Sequence, residues 1–426
     1  MTAGVRSIGE GGSLLASDIC GDPGLLSAMS AQERAAALVA GPVEAETVDL
    51  ARLRGRISAE DVVSPTPLPP FDHSAMDGYA VASLDLDHVV RSRLAAGASG
   101  NPETLRPGDA ARIFTGAPLP PGAVAVAMQE RARRRGDRIR LEFRPDHGAN
   151  IRRRGEDVAA GDVIVPAGVR LDARHLAILA SAGVEAVAVR RPVVVGLMST
   201  GDELLRPGEP LRAGRIHDAN RPMLAAILAR PSHDVVDLGV APDDRPTLTK
   251  LLLEAAERCD VIVTSGATSV GDEDHLAASV SAAGGRLDLA RVALKPGKPV
   301  VVGHVGGAVL IGLPGNPFAA LVAHMLIGRV ALERLAGLTP RPLRPLPAIA
   351  AFGQRGPGSR TEFAPAALLG ADSRGVLRVE KLGRGGSARL APLIAADGLA
   401  VIPAGREEIR PGDPIGFLPF EAAMEL

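Results

Sequence analysis

The residues most able to do chemistry gather behind four short apolar runs. Val193–Met198 leads into Ser199, Thr200, Gly201, Asp202 and Glu203, and Val235–Val240 leads into Asp243 and Asp244. Val261–Val263 leads into a segment carrying Ser265, Gly266, Ser269, Gly271, Asp272 and Asp274. Val309–Ile311 leads into Pro314, Gly315 and Asn316. Glycines and small hydroxyl residues let backbone N–H groups close on an anion at a helix start. Carboxylates beside an anion site call for a cation, and their hard oxygens suit Mg²⁺. A phosphate or pyrophosphate bridged by Mg²⁺ to these acids is the simplest joint reading. Any one acid taken alone reads equally well as a helix cap. Their repetition over several strand ends favours the site.

The basic residues narrow this further. Of 48 basic residues only Lys250, Lys295, Lys298 and Lys381 are lysines. In a chain that otherwise uses arginine, a retained lysine points to the compact, rotatable ammonium that arginine lacks. Lys295 and Lys298 flank a Pro-Gly pair that cannot be helical, with Arg291 just upstream. That arrangement suits clamping an oxyanion, against the plainer reading of a solvated basic turn. The run Arg152–Arg154 divides evenly between a phosphate grip and a solvated face.

The elements that must position these residues follow from periodicity. The apolar runs look like strands buried on both faces. Helical stretches at 221–229, 245–258, 274–283 and 317–336 separate them, which implies a parallel sheet with crossover helices across 191–338. Asn316, Pro317 and Gly337 supply the cap, first turn and stop of the last helix. Upstream, Ser30 to Glu33 reads as a capping box opening a short helix to Ala40. Asp172 caps a second helix that Gly183 stops. Residues 28–64 and 151–190 form one linking, elongated domain. Residues 65–150, with runs at Tyr79–Val81, Ala123–Gln129 and Arg138–Phe143, form a β insertion within it. Residues 1–27 read as a mobile lead-in, and 339–426, after a Pro-rich linker, as a small β-barrel or sandwich.

Composition excludes several function classes. The net charge of −1 leaves no global basic footprint for nucleic acid, and aromatics at 2% leave few stacking platforms. No apolar run approaches the roughly 20 residues of a membrane span, and no signal peptide opens the chain. The two cysteines, Cys20 and Cys259, suit a reducing, cytoplasmic setting. No Walker A, nucleophile-elbow or zinc-protease motif is present.

Seven ordered blocks between residues 65 and 320 then carry a resemblance. They are Phe71 to Val81 (FDHSAMDGYAV), Thr115-Gly-Ala-Pro-Leu-Pro, Gly155-Glu-Asp157, Ser199 to Leu204, Ser269-Val-Gly271, Lys295 to Pro299 and Gly312 to Pro317. The chain resembles the MoeA family of molybdenum-cofactor synthesis, to which the gephyrin E-domain also belongs. In the tail, Arg360-Thr-Glu-Phe and Gly386 to Arg389 are similar but less specific. The resemblance implies a multidomain fold: a MogA-like parallel α/β domain, an elongated domain with a β insertion, and a C-terminal β-barrel. It implies insertion of molybdenum from molybdate into adenylylated molybdopterin with release of AMP, using a divalent cation, Mg²⁺, as cofactor. By position, Glu203, Asp243 and Asp274 match the family's cation-side acids, and Lys295 and Lys298 its anion-binding lysines. Asp77, Thr115 and Asp157 fall in blocks that face the site from the partner subunit of a homodimer, and Ser387 matches a serine at its edge. A contact with the adenylylating enzyme of the same pathway is a further expectation. The alternatives are that adenylylating activity itself and a gephyrin-like scaffold role. His73, His217, Ala267, Thr268 and Arg291 depart from the usual pattern, and the two histidines read better as ordinary packed or solvated residues than as metal ligands.

Overall fold

The computed structural model describes residues 25–97, 102–266, 275–297, 299–386 and 388–420. The chain divides into two compact units. One comprises Thr47–Arg54 and Glu60–Ala188; the other takes Gly55–Ala59, the described residues up to Glu46 and those from Val189 on. The first helix, α1 (Ala28–Ala37), belongs to the second unit. Its N-cap is Ser27, whose hydroxyl accepts from the Ser30 N–H at 3.0 Å, so the cap lies three residues before the expected Ser30. Serine recurs at both places, and the buried stripe Ala28, Ala31 and Ala35 decides the register.

The first unit holds a six-stranded sheet. Its strands are β1 (Gly78–Val81), β2 (Asp87–Leu94), β3 (Asp109–Ile113), β4 (Ala125–Met128), β5 (Ala132–Arg135) and β6 (Arg138–Leu141), in the order β4-β1-β3-β2-β6-β5. Every residue of β1 is buried: Tyr79 and Val81 pack with Ala125, Ile139 and Leu141, and Ala80 packs on the other face with Ala111, Ile113 and Val126. Gly78 has to be glycine, since a Cβ there would stand 2.0 Å from the Ala127 carbonyl oxygen. Strands β2 and β3 escape the sequence reading because charge and alanine dominate them, and sheet context overrides such weak strand preference. Helix α2 (Ala173–Ser181) is capped by Asp172 as expected, with His175 returning the bond to complete a capping box.

In the second unit a mixed sheet runs β8-β7-β9-β12-β11-β10. Its strands are β7 (Val193–Thr200), β8 (His233–Ala241), β9 (Val261–Ser265), β10 (Arg286–Arg291), β11 (Pro299–Val305) and β12 (Ala308–Leu313). The four apolar runs of the sequence are the four parallel strands β8, β7, β9 and β12. The antiparallel ribbon β10–β11 extends that sheet from β12 through the turn at Gly306-Gly307. Crossovers are α3 (Asn220–Leu228), α4 (Arg245–Ala256) and α5 (His275–Ala282). The last helix, α6, joins Pro317–Ala323, a π turn at His324–Gly328 and Arg329–Leu335. Nearly all of it is buried, which makes it the spine of the largest apolar cluster. Gly337 ends it with φ +85°, as the sequence implies.

Five strands close the C-terminal barrel: β13 (Leu346–Ala350), β14 (Thr361–Ala371), β15 (Leu377–Lys381), β16 (Gly398–Ile402) and β17 (Pro414–Pro419). They pair in the ring β14-β15-β13-β17-β16-β14 around Phe352, Val379, Ile402, Ile415 and Phe417. A short strand, Leu294–Lys295, pairs in parallel with Thr361–Glu362 on β14. The lysine-bearing loop of the α/β sheet is thereby bonded to the barrel.

Candidate active site

The chain leaves β7 for β8 on one side and later reaches β9 on the other, so the sheet's switch point lies between β7 and β9. Ligands of open α/β sheets bind there, beyond the carboxyl ends. Ser199 and Ser265 are paired neighbours at those ends, and Ser265 in turn pairs with Leu313 of β12. A cleft of about 870 Å³ opens above them, a size suited to a small-molecule ligand.

Its floor is backbone and small side chains. Gly266 has φ +118°, and a Cβ there would sit 2.2 Å from the Thr200 carbonyl oxygen, so no other residue fits. Gly315 approaches it closely: a Cβ on Gly315 would lie 3.5 Å from the Gly266 Cα. Asn220, at the start of α3, ties the loops together by donating from Nδ2 to the Gly315 carbonyl at 2.7 Å and to the Ser265 hydroxyl at 2.5 Å. The Asn220 Oδ1 and the Ser199 Oγ, both deeply buried on the lining, have no hydrogen-bond partner among the described residues. Asn316, Pro317 and Phe318 bring the start of α6 to the same cleft, where the positive end of the helix favours negative charge.

The opposite wall is charged. Lys295, Arg360, Lys381, Arg384 and Arg389 line it together with Glu362. The buried Glu362 accepts from Lys295 Nζ at 3.0 Å and from Lys381 Nζ at 2.7 Å. Burial alone would raise the Glu362 pKa, but the bonds from the two ammonium groups outweigh it and hold the carboxyl below its ordinary range. Among the described lining residues five are cations, against the carboxylates of Glu203, Asp218 and Glu362. Asp218 is already paired with Arg221 at 3.2 Å.

Nine of the expected residues line this cleft: Ser199, Thr200, Glu203, Ser265, Gly266 and Lys295, with Pro314, Gly315 and Asn316. Gly201 is one residue from the lining, its Cα facing the Glu203 carboxylate. Asp243 sits on the neighbouring loop, where it and Asp202 accept each other's backbone N–H at 3.4 and 3.2 Å. Among the described residues no three carboxylates or imidazoles converge as a metal cage. Asp274, the third acid of the expected set, lies outside those residues, as do Ser269, Gly271, Lys298 and Ser387. The Arg291 backbone lies in β10, and its side chain is not described. His217 also lines the cleft, with Nε2 on the Glu209 carbonyl at 2.8 Å.

The remaining expected residues belong to the other unit. There Asp77 accepts from both the N–H and the hydroxyl of Thr115 at 2.8 Å, bonds that lower its pKa, backbone first. Asp157 pairs with Arg152 at 3.2 Å. The arginine run is held by acids: Arg152 also bonds Glu156, and Arg153 bonds Asp72 at 2.7 Å. Sequence reasoning missed Asn220, and it gave no site role to Glu362 or Lys381, although rarity singled out Lys381 and Glu362 lies in the Arg360-Thr-Glu-Phe block. Asp218-Ala-Asn220 could have been noticed as a helix-start signal. Glu362 carries no local sign of its pairing beyond its place in that block.

An acidic loop, a glycine-hydroxyl floor and a basic wall at an α/β switch point define a protein that binds a phosphorylated or other polyanionic small molecule. The chain matches three sequence families in order: the MoeA N-terminal region (domains I and II) over residues 26–183, a probable molybdopterin binding domain over 196–334, and the MoeA C-terminal region (domain IV) over 347–420. It is 35% identical over 384 residues to the molybdopterin molybdenumtransferase of Haemophilus influenzae, covering 89% of this chain and 95% of the relative. It is 36% identical over 313 residues to molybdopterin molybdenumtransferase 2 of Mycobacterium tuberculosis, covering 70% and 77%. The crystal structure of the MoeA molybdopterin biosynthesis protein of Pyrococcus horikoshii superposes with a TM-score of 0.77 at 27% identity, over 93% of this chain and all of that one. The chain belongs to the MoeA family.

Proposed function

We propose that this protein inserts molybdenum from molybdate into adenylylated molybdopterin and releases AMP, as a molybdopterin molybdenumtransferase. The carrying observation is the cleft itself, about 870 Å³ and lined by glycine, small hydroxyl residues and five lysines and arginines, a volume in the range of small-molecule sites. The floor suits the phosphates: Gly266 and Gly315 let N–H groups close on them while Asn220 holds the two loops in register. The wall suits molybdate, a tetrahedral dianion, because Lys295 presents a partly exposed ammonium and Arg360 a guanidinium. Nothing in this chemistry requires a covalent protein nucleophile.

Mg²⁺ is part of the proposal. The all-oxygen donor set of Glu203 and Asp243, with Asp274, fits a hard cation. Such an ion would supply charge neutralisation at the phosphoanhydride oxygens. The same proposal extends to a cytoplasmic homodimer in which Asp77, Thr115 and Asp157 act at the cleft of a second copy, and to a contact with the adenylylating enzyme. If so, mixing Asp77→Ala and Lys295→Ala chains regains part of the activity that each lacks alone. Mixtures as inactive as the separate variants would remove the shared site.

The functional test loads purified protein with adenylylated molybdopterin and Mg²⁺, adds molybdate, and measures AMP. Molybdate-dependent AMP release with molybdenum retained on the pterin is expected. Adenylate accumulating from molybdopterin and ATP would assign the preceding step instead.

A further inference from the structure

Two of the chain's four lysines converge on a single buried carboxylate. Lys295 reaches Glu362 from the α/β loop, and Lys381 reaches it from barrel strand β15. The two ammonium groups are not equivalent. The Lys295 side chain is 46% exposed, that of Lys381 only 15%, and that of Glu362 only 6%. Gln354 completes the group, donating to Glu362 at 3.3 Å and accepting from Lys381. Backbone pairing of Lys295 with Glu362 fixes the register that makes the contact.

Charge balance decides what this arrangement can do. A lone Glu362 beside Lys295 would form a neutral pair, and a neutral pair attracts no oxyanion. A second ammonium on the inner side leaves the group with one surplus positive charge, at the more exposed position. We propose that Lys381 is a positioning residue for oxyanion binding: it satisfies Glu362 from the barrel side, so that the Lys295 ammonium, held in place by Glu362, keeps its charge for an anion in the cleft. This inference rests on the molybdate reading of the cleft and extends it to the barrel, whose part is to set the charge of a lysine borne by another domain.

The signature is a pair of opposite effects that a purely structural role would not produce. Molybdate binding to the full-length protein is measured by equilibrium dialysis, independently of turnover. Lys381→Met leaves Glu362 to neutralise Lys295, and the Kd rises about tenfold, the scale of one charge-assisted hydrogen bond. Glu362→Gln removes the competing carboxylate, and the Kd falls by about threefold despite looser positioning. The double variant returns to within about threefold of wild type, because the two charge changes cancel. An unchanged Kd in Lys381→Met, weaker binding in Glu362→Gln, or a double variant as weak as Lys381→Met would each overturn the inference. Should Lys381→Met fail to fold, the direction of the Glu362→Gln change decides alone. Wild-type protein that binds molybdate without inserting it would refute the functional reading only. Wild-type protein that binds none would refute both.

Discussion

The two walls of the cleft are built by different means. On the sheet side the ligand meets backbone, glycine and small hydroxyl groups, whose positions follow from the ends of β7, β9 and β12. On the barrel side it meets long charged side chains carried by strands that are distant in sequence. The first wall fixes shape, and a single methyl group can spoil it. The second fixes charge, and tolerates changes of shape better than changes of balance. Damage to the two should therefore look different: lost fit and stability on one side, lost anion affinity on the other.

The sharpest break of that contrast is Lys295→Ala. Removing the exposed ammonium should lower molybdate-dependent AMP release by about 10²–10³-fold, the range seen when a preorganised electrostatic contact is deleted. Single-turnover kinetics at saturating pterin would check it, and a loss under tenfold would move the oxyanion elsewhere. Gly266→Ala comes next. Its positive φ and the nearby Thr200 carbonyl should cost about 1–3 kcal/mol in strain, visible as a lower melting temperature together with weaker pterin binding. Normal melting would mean that the floor yields more readily than the geometry implies.

A third prediction uses pH. His324, wholly buried in the π turn of α6, has its pKa pushed down to about 3, first by burial and then by His233, Arg230 and Arg329 nearby. Its imidazole stays neutral in the folded chain while the unfolded chain takes up a proton below about 6.5. Stability is therefore lost as pH falls from about 6.5 towards 3, by at most roughly 1.4 kcal/mol per pH unit. Glu362 works in a lower window. Its folded pKa is depressed, so its contribution is present above 4.5 and lost as pH falls through the folded value. Between pH 6.5 and 4.5 the slope contributed by His324 should thus vanish in His324→Leu, as followed by urea unfolding. An identical slope in the variant would refute the assignment. The smallest effect belongs to Lys250→Ala. That lysine is 78% exposed and pairs loosely with Glu254 at 3.7 Å, so stability and turnover should shift by no more than about 0.5 kcal/mol.

Lys250 also shows how far the sequence could be read. Rarity singled out four lysines, of which two line the cleft, one is a solvated helix residue and one lies outside the described chain. Three of the parallel strands, β7, β9 and β12, were legible as continuous apolar runs with a glycine or hydroxyl exit, a signal contained within ten residues, while β8 carries Asp237 within its run and exits to Pro242-Asp243. Asp172 and Asn316 were legible at helix N-caps for the same reason, whereas Asp244, grouped with the acids of the strand ends, caps α4. Strands β2 and β3 were not, because Asp87–Leu94 and Asp109–Ile113 owe their pairing to neighbours and not to their own pattern. The role of Glu362, which lies in the Arg360-Thr-Glu-Phe block, was unreadable for a further reason. Its partners Lys295 and Lys381 are 67 and 19 residues away, and only the pairing of β14 with β15 and with the Leu294–Lys295 strand brings them together.

The central claim, that the basic wall of this cleft holds the oxyanion, can be tested with tungstate, nearly isosteric with molybdate and a strong anomalous scatterer. Crystals of the protein soaked in tungstate should show one anomalous peak within hydrogen-bond reach of Lys295, on the side of the cleft facing away from Glu362. A peak at the arginine run of the other unit, with none in the cleft, would contradict the account.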